Sequence, residues 1–179
     1  LDTTDIGFKE HFGFRDGISQ PTIDGAGRYD SGMNTVQPGE FVLGYVNEHG
    51  QVADGPTVAS SDDPRRILPI SPGDPARSDY GRNGSYLVFR QLQQDVRAFW
   101  QFADNATRNA DGSSNEGSRA RLAAKMVGRW PSGAPLVKSP DVDDPSLGAD
   151  NDFRYALEDP YGYACPVGAH IRRGNPRDS

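Results

Sequence analysis

Phe12-Gly13-Phe14-Arg15-Asp16-Gly17-Ile18-Ser19-Gln20-Pro21 frames a carboxylate between glycines, with aromatic residues before it and a proline after it. Glycine leaves the backbone free to adopt positive φ and to come close to a flat ligand. Pro21 stiffens the exit. A loop of this kind can present the Asp16 carboxyl into a cavity at a fixed height. The same pattern also serves as a plain Asp-Gly turn, so its meaning depends on the rest of the chain.

A second stretch near the other end reads Cys165-Pro166-Val167-Gly168-Ala169-His170-Ile171-Arg172-Arg173-Gly174-Asn175-Pro176-Arg177. Taken in order, Gly13-Phe14-Arg15-Asp16-Gly17 and this run resemble the dye-decolorizing peroxidase family of haem enzymes. Gly39-Glu40-Phe41-Val42-Leu43-Gly44-Tyr45, Asn83-Gly84-Ser85-Tyr86-Leu87-Val88-Phe89-Arg90 and Met126-Val127-Gly128-Arg129-Trp130 are similar to the family as well.

The resemblance implies an α+β, ferredoxin-like fold of the dimeric α+β barrel type, in which two halves enclose haem b. It makes Asp16 the distal acid–base and His170 the proximal iron ligand. Arg177 corresponds to the arginine that pairs with a haem propionate, a place Arg173 could fill instead. Gly17 and Ile18 join Asp16 on the haem side of the loop. Hydrogen peroxide is the implied oxidant, and anthraquinone dyes, phenols and other aromatic donors are the implied reductants.

Family members are considerably longer, so the resemblance implies an internal or C-terminal-half segment. Residues 1–83 would be the distal loop and linking excursions from the end of the first half. Residues 84–179 would be the second ferredoxin-like half, cut after the proximal motif. The family's distal arginine and the carboxylate that orients the histidine follow further downstream, past Ser179. The expected partners therefore include the remainder of a peroxidase chain or a second copy. Two other readings stay open: a haem-binding or haem-iron-handling protein without turnover, and a fragment inactive for want of the distal arginine.

Composition fits a loop-rich soluble domain. The 179 residues include 21 glycines and 14 prolines, with 35% hydrophobic content. No apolar run approaches the roughly 18 residues that a membrane span needs. A net charge of −6 argues against a nucleic-acid partner, which favours a basic face. One cysteine excludes an internal disulfide framework. No signal peptide is visible, yet the chain opens in mid-pattern at Leu1, so the compartment stays open between the cytoplasm and secretion.

Two stretches have the β-rich character of strands, residues 40–46 and residues 84–92. Between them, residues 47–83 read as a long surface excursion with at most short elements. Asp95 is a candidate N-cap. Val96, Phe99, Trp100 and Ala103 then recur at helical spacing. A second helix is expected over 119–130, with Gly128 near its end, and the residues between the helices read as loop.

The chemistry of single residues leaves alternatives. A neutral imidazole at His170 can give one nitrogen to iron while the other is oriented by an acceptor. Read alone, His170 is equally a turn histidine bonded to backbone. Asp16 can move a peroxide proton only when ionised and close. Cys165 could supply a thiolate or pack as a small apolar side chain. Trp100 and Trp130 could relay oxidising equivalents, although the spacing of Trp100 suits core packing. The run Asp141, Asp143, Asp144, Asp150 and Asp152 lacks the glycine and terminal glutamate of a calcium loop, and reads as a solvated acidic loop. His11 and His49 read as surface or turn residues.

Overall fold

In the computed structural model of the chain, residues 7–18, 20–26 and 35–174 are described. They form two compact units, one from residues 7–20 and 91–174, the other from residues 21–26 and 35–90. Among the described residues no helix is long and apolar enough to cross a membrane.

The first unit is built on helices. Helix α1 (Val96–Ala106) starts as its N-cap suggests, with the Asp95 side chain accepting from Ala98 N. Its apolar side brings Phe99 and Trp100 against Phe12 and Phe14, with ring centroids 4.6 Å apart for Phe12–Phe99 and 6.2 Å for the parallel Phe14–Trp100 pair. The Trp100 indole N–H donates to Phe12 O at 3.0 Å, so this tryptophan packs rather than stands free. Helix α2 (Glu116–Val127) is capped by Asn115, which accepts from Ser118 N, and stops at Gly128 with φ 106°. Only glycine takes that conformation without strain.

Past α2, the chain turns tightly through Trp130, Ala134 and Leu136, which join Ala124, Phe153, Tyr155, Cys165 and Ala169 in one buried apolar cluster. Two short helices close the unit, α3 (Tyr155–Glu158) and α4 (His170–Gly174).

The second unit is a β assembly. Strands β1 (Thr22–Ile23) and β2 (Thr35–Val36) pair in parallel. Strands β3 (Thr57–Ala59), β4 (Ile70–Ser71) and β5 (Asp74–Asp79) form an antiparallel sheet in the order β3-β5-β4. The expected surface excursion thus contains a sheet, whose β4–β5 turn sits at Pro72-Gly73.

Both strands expected from composition fail. Residues 40–46 do not extend: a 3-10 turn at Pro38–Glu40 curls the chain, Val42 N bonds back to Pro38 O at 2.8 Å, and Gly44 takes φ 85°. Residues 84–92 form no helix and join no sheet among the described residues. Leu87 is 93% exposed and Phe89 86%. A run apolar on both faces suits a strand covered on both sides, and no such cover is present among the described residues.

Candidate functional site

The Asp16 loop is held from behind. Glu10 folds its carboxylate back onto Phe12 N and Phe14 N, both at 2.9 Å, and also accepts from the Gln94 side chain at 2.8 Å. That clip turns the chain, and Phe14 sinks into the first unit at 3% exposure. Beyond it the loop faces outward. Asp16 is exposed, its amide donates to Phe8 O at 2.9 Å, and its carboxylate accepts from Gly17 N at 2.7 Å. Gly17 has φ 73°, which favours glycine at this bend.

Asp16, Gly17 and Ile18 share a groove of about 470 Å³ with Phe8, Arg15 and Asn151. Arg15 places a guanidinium in the same groove as the Asp16 carboxylate. The loop sits close to two glycines: a Cβ at Gly148 would lie 3.1 Å from Arg15 Nη1, and one at Gly133 2.5 Å from Ile18 Cδ1.

Behind the groove stands Arg129, 1% exposed. Its guanidinium donates to Gly133 O at 2.7 Å, to Asp150 O at 2.9 Å and to Asn151 Oδ1 at 2.6 Å. The Asn151 side-chain amide in turn donates to Ile18 O. A buried arginine thus fixes the loop that carries Asp16 through one intermediate side chain.

The neighbouring Gly128 serves the second segment. A Cβ there would meet Ile171 Cβ at 3.3 Å and Ala169 Cβ at 3.6 Å, so the lack of a side chain lets α4 pack on the end of α2. Gly128-Arg129 therefore joins the two stretches that the sequence singles out.

His170 opens α4 and is exposed, and its ring makes no hydrogen bond to any described residue. At about 100° per residue, Arg173 lies on the same side of the helix as His170 and Arg172 on the opposite side. Arg173 is accordingly exposed, whereas Arg172 is 3% exposed. Arg172 Nη1 reaches Asp159 Oδ2 at 3.3 Å and Cys165 O at 2.7 Å, and its guanidinium lies 4.5 Å over the Tyr155 ring. Cys165 is fully buried, and burial pushes its thiol up to about 11. It is a neutral packing residue, as one of its two sequence readings holds.

The expected site residues fall into two groups. Asp16, Gly17 and Ile18 line one groove, while His170 and Arg173 lie on the outer side of α4 and are not among that groove's lining residues. Arg177 lies outside the described residues. The acidic run is used locally: Asp141 pairs with Arg121 at 2.6 Å, and Asp144 caps the turn Pro145–Leu147. Among the described residues no group of three His, Cys, Asp or Glu is arranged to hold a metal ion.

Sequence reading missed Arg129, Asn151, Asp159 and Arg172. The signal available was the placement of Arg129 and Arg172 inside motifs already singled out, but a buried arginine and a solvated one look alike in a sequence.

The exposed imidazole of His170 is a donor of the kind that holds haem iron, while Asp16 offers its carboxylate from a groove that His170 does not line. No family model matches the chain. It is 41% identical to a dye-decolorizing peroxidase of Mycena epipterygia over 94% of the chain and 30% of that protein. A dye-decolorizing peroxidase of Auricularia auricula-judae is 38% identical over 94% of the chain and 30% of its own length.

Among solved structures, a dye-decolorizing peroxidase in complex with 2,6-dimethoxyphenol matches with TM-score 0.64 and 32% identity, covering 95% of this chain and 35% of that one. The enzyme from Auricularia auricula-judae matches with TM-score 0.60 and 33% identity, over 95% and 34% of the two chains. The chain thus spans about a third of the length of the relatives it matches. Its class is α+β, consistent with a ferredoxin-like half of such a structure.

Proposed function

The chain is homologous to the dye-decolorizing peroxidases over 94% of its length, and on that premise we propose that it works as part of a haem peroxidase. Such an enzyme would use hydrogen peroxide to oxidise dyes, phenols and other aromatic donors. The observation that carries the reading is the 41% identity, which spans nearly all of this chain. In the longer architecture, residues 1–83 belong with the distal side and residues 84–179 with the second half. The remainder of the polypeptide, or a second copy, completes the pocket.

Haem b is the fitting cofactor, and when bound it supplies an iron centre that takes up the oxidising equivalents of peroxide. His170 offers its imidazole to that iron. Arg173, or Arg177 further on, offers a fork of donors to a propionate. Gly17 and Ile18 bring backbone and an apolar side chain up to the macrocycle. Asp16 accepts the proton of the incoming peroxide and returns it to the departing oxygen. This requires the ionised carboxylate.

Two variants of the full-length protein test this. Asp16→Asn should keep the haem spectrum and lose roughly 10²–10⁴-fold of peroxide-dependent turnover. His170→Ala should lose the spectrum of an imidazole-ligated haem. Turnover unchanged in the first, or the spectrum unchanged in the second, would remove the residue concerned from its role. A parent protein that binds haem and yet turns over neither peroxide nor 2,6-dimethoxyphenol would instead be a haem carrier.

A further inference from the structure

The five residues of α4 are too few to form a stable helix by themselves, so something outside the helix must set its direction. Packing of Gly128 against Ala169 and Ile171 fixes how closely α4 approaches α2. Apolar contact is indifferent to direction, so how the helix is turned about its own axis calls for a polar contact as well. That contact is the pair Asp159 and Arg172, with side-chain exposures of 6% and 2%.

Asp159 is saturated with donors. Its Oδ1 accepts from Tyr163 N at 2.8 Å and Ala164 N at 3.2 Å, and its Oδ2 accepts from Cys165 N at 2.8 Å. The carboxylate therefore folds the turn that leads into Cys165. Arg172 enters the same turn from α4, donating to Asp159 Oδ2 at 3.3 Å, Asp159 O at 3.1 Å and Cys165 O at 2.7 Å. One ion pair thus ties the chain eleven residues before His170 to the chain two residues after it.

The geometry has a directional consequence. Two residues along an α-helix correspond to a rotation of about 200°, so burying Arg172 drives His170 to the opposite side. The exposure pattern follows this, with Arg172 inside and His170 and Arg173 outside. A guanidinium held by three acceptors and lying over the Tyr155 ring leaves little rotational freedom. Lysine keeps the charge but loses the planar guanidinium that lies over the Tyr155 ring.

We infer that Asp159 and Arg172 are positioning residues that set the rotation of α4 and so aim the His170 imidazole toward the haem iron. This rests on the proposed role of His170. The pair is buried, and it acts through the backbone between Cys165 and Arg172.

The experiment separates positioning from folding. Either partner removed alone strands a buried charge, so the informative variant is the double replacement Asp159→Asn with Arg172→Gln. It removes both charges, while the amide oxygen left at position 159 can still accept from Tyr163 N and Ala164 N. In the full-length protein it should still unfold in one cooperative transition, at a midpoint below the parent's because Cys165 N loses its acceptor. Its haem should show a mixed or altered ligand spectrum, and haem loss to an excess of apomyoglobin should be at least 10-fold faster. Arg172→Lys, which keeps the charge, should show the same spectral change in smaller degree.

A parent-like spectrum and parent-like haem loss in either variant would overturn the positioning role and leave the pair merely structural. Parallel measurement of His170→Ala distinguishes the two ideas. If that variant keeps the parent spectrum, it is the ligand assignment that falls, and the positioning role falls with it.

Discussion

Where residues 91–174 bury Trp130, Leu136, Phe153 and Tyr155 in one apolar cluster, residues 35–90 bury Asp63, Ser78 and Asp79, with Val36 as the buried apolar side chain among those described. The second unit is shaped by carboxylates turned onto backbone amides: Asp63 accepts from Ile67 N and Leu68 N, and Asp79 from Gly81 N and Arg82 N. Apolar burial is roughly proportional to area and indifferent to direction. A carboxylate gripping two amides dictates a local bend and little else. Both candidate site stretches lie in the unit with the apolar core, where packing and buried arginines together hold side chains in place.

This contrast can be broken most forcefully at Phe153. Phe153→Ala should cost about 3–5 kcal/mol in denaturant unfolding, with hydrogen exchange rising across residues 91–174 and little changed in residues 35–90. A uniform rise through both units would show that they do not unfold separately. Asp79→Ala probes the other side. It leaves two amides without their acceptor at about 1–3 kcal/mol each, and exchange at Gly81 and Arg82 should rise first.

Cys165 sharpens the comparison through pH. Its thiol is pushed up to about 11, chiefly by burial, so the folded state favours the neutral form. The resulting stabilisation is complete below the ordinary thiol pKa and drains away as pH climbs through about 11. Denaturant midpoints measured upward from pH 8 should therefore fall more steeply for the parent than for Cys165→Ala; parallel curves would contradict this. The smallest effect belongs to Asp111, whose carboxyl is held below its usual value mainly by the Ser113 hydroxyl, then by the Ser113 amide. Asp111→Ala should quicken exchange at the Ser113 amide and leave the unfolding midpoint unchanged.

The helices were legible in the sequence because their cues are local. Asp95 caps, Gly128 stops, and Val96, Phe99, Trp100 and Ala103 repeat at the helical period, whereas the Asn115 cap, which starts the second helix at Glu116 rather than 119, went unread among the polar residues around it. The strands were misread because β character reports burial more than backbone preference. Residues 40–46 curl under Pro38 and Gly44, and residues 84–92 join no sheet among the described residues. The sheet β3-β5-β4 escaped because β5 begins with Asp74, Pro75 and Ala76, none of them strand formers. At the site, Asp16 and His170 stood out by resemblance. Arg129 and Arg172 did not, since what matters about them is three-dimensional, namely which carbonyls converge on a guanidinium.

Tyr86, Leu87, Val88 and Phe89 leave a further mark on how the molecule behaves in bulk. Four consecutive large side chains, each at least 68% exposed and outside any strand or helix, make an adhesive stretch of the kind that seeds intermolecular sheets. The concentration at which this chain, taken alone, stays clear in solution should thus depend on a short stretch outside the unit that holds both candidate site stretches. A lysine in place of Val88 should raise that solubility limit without altering the spectrum of any bound pigment.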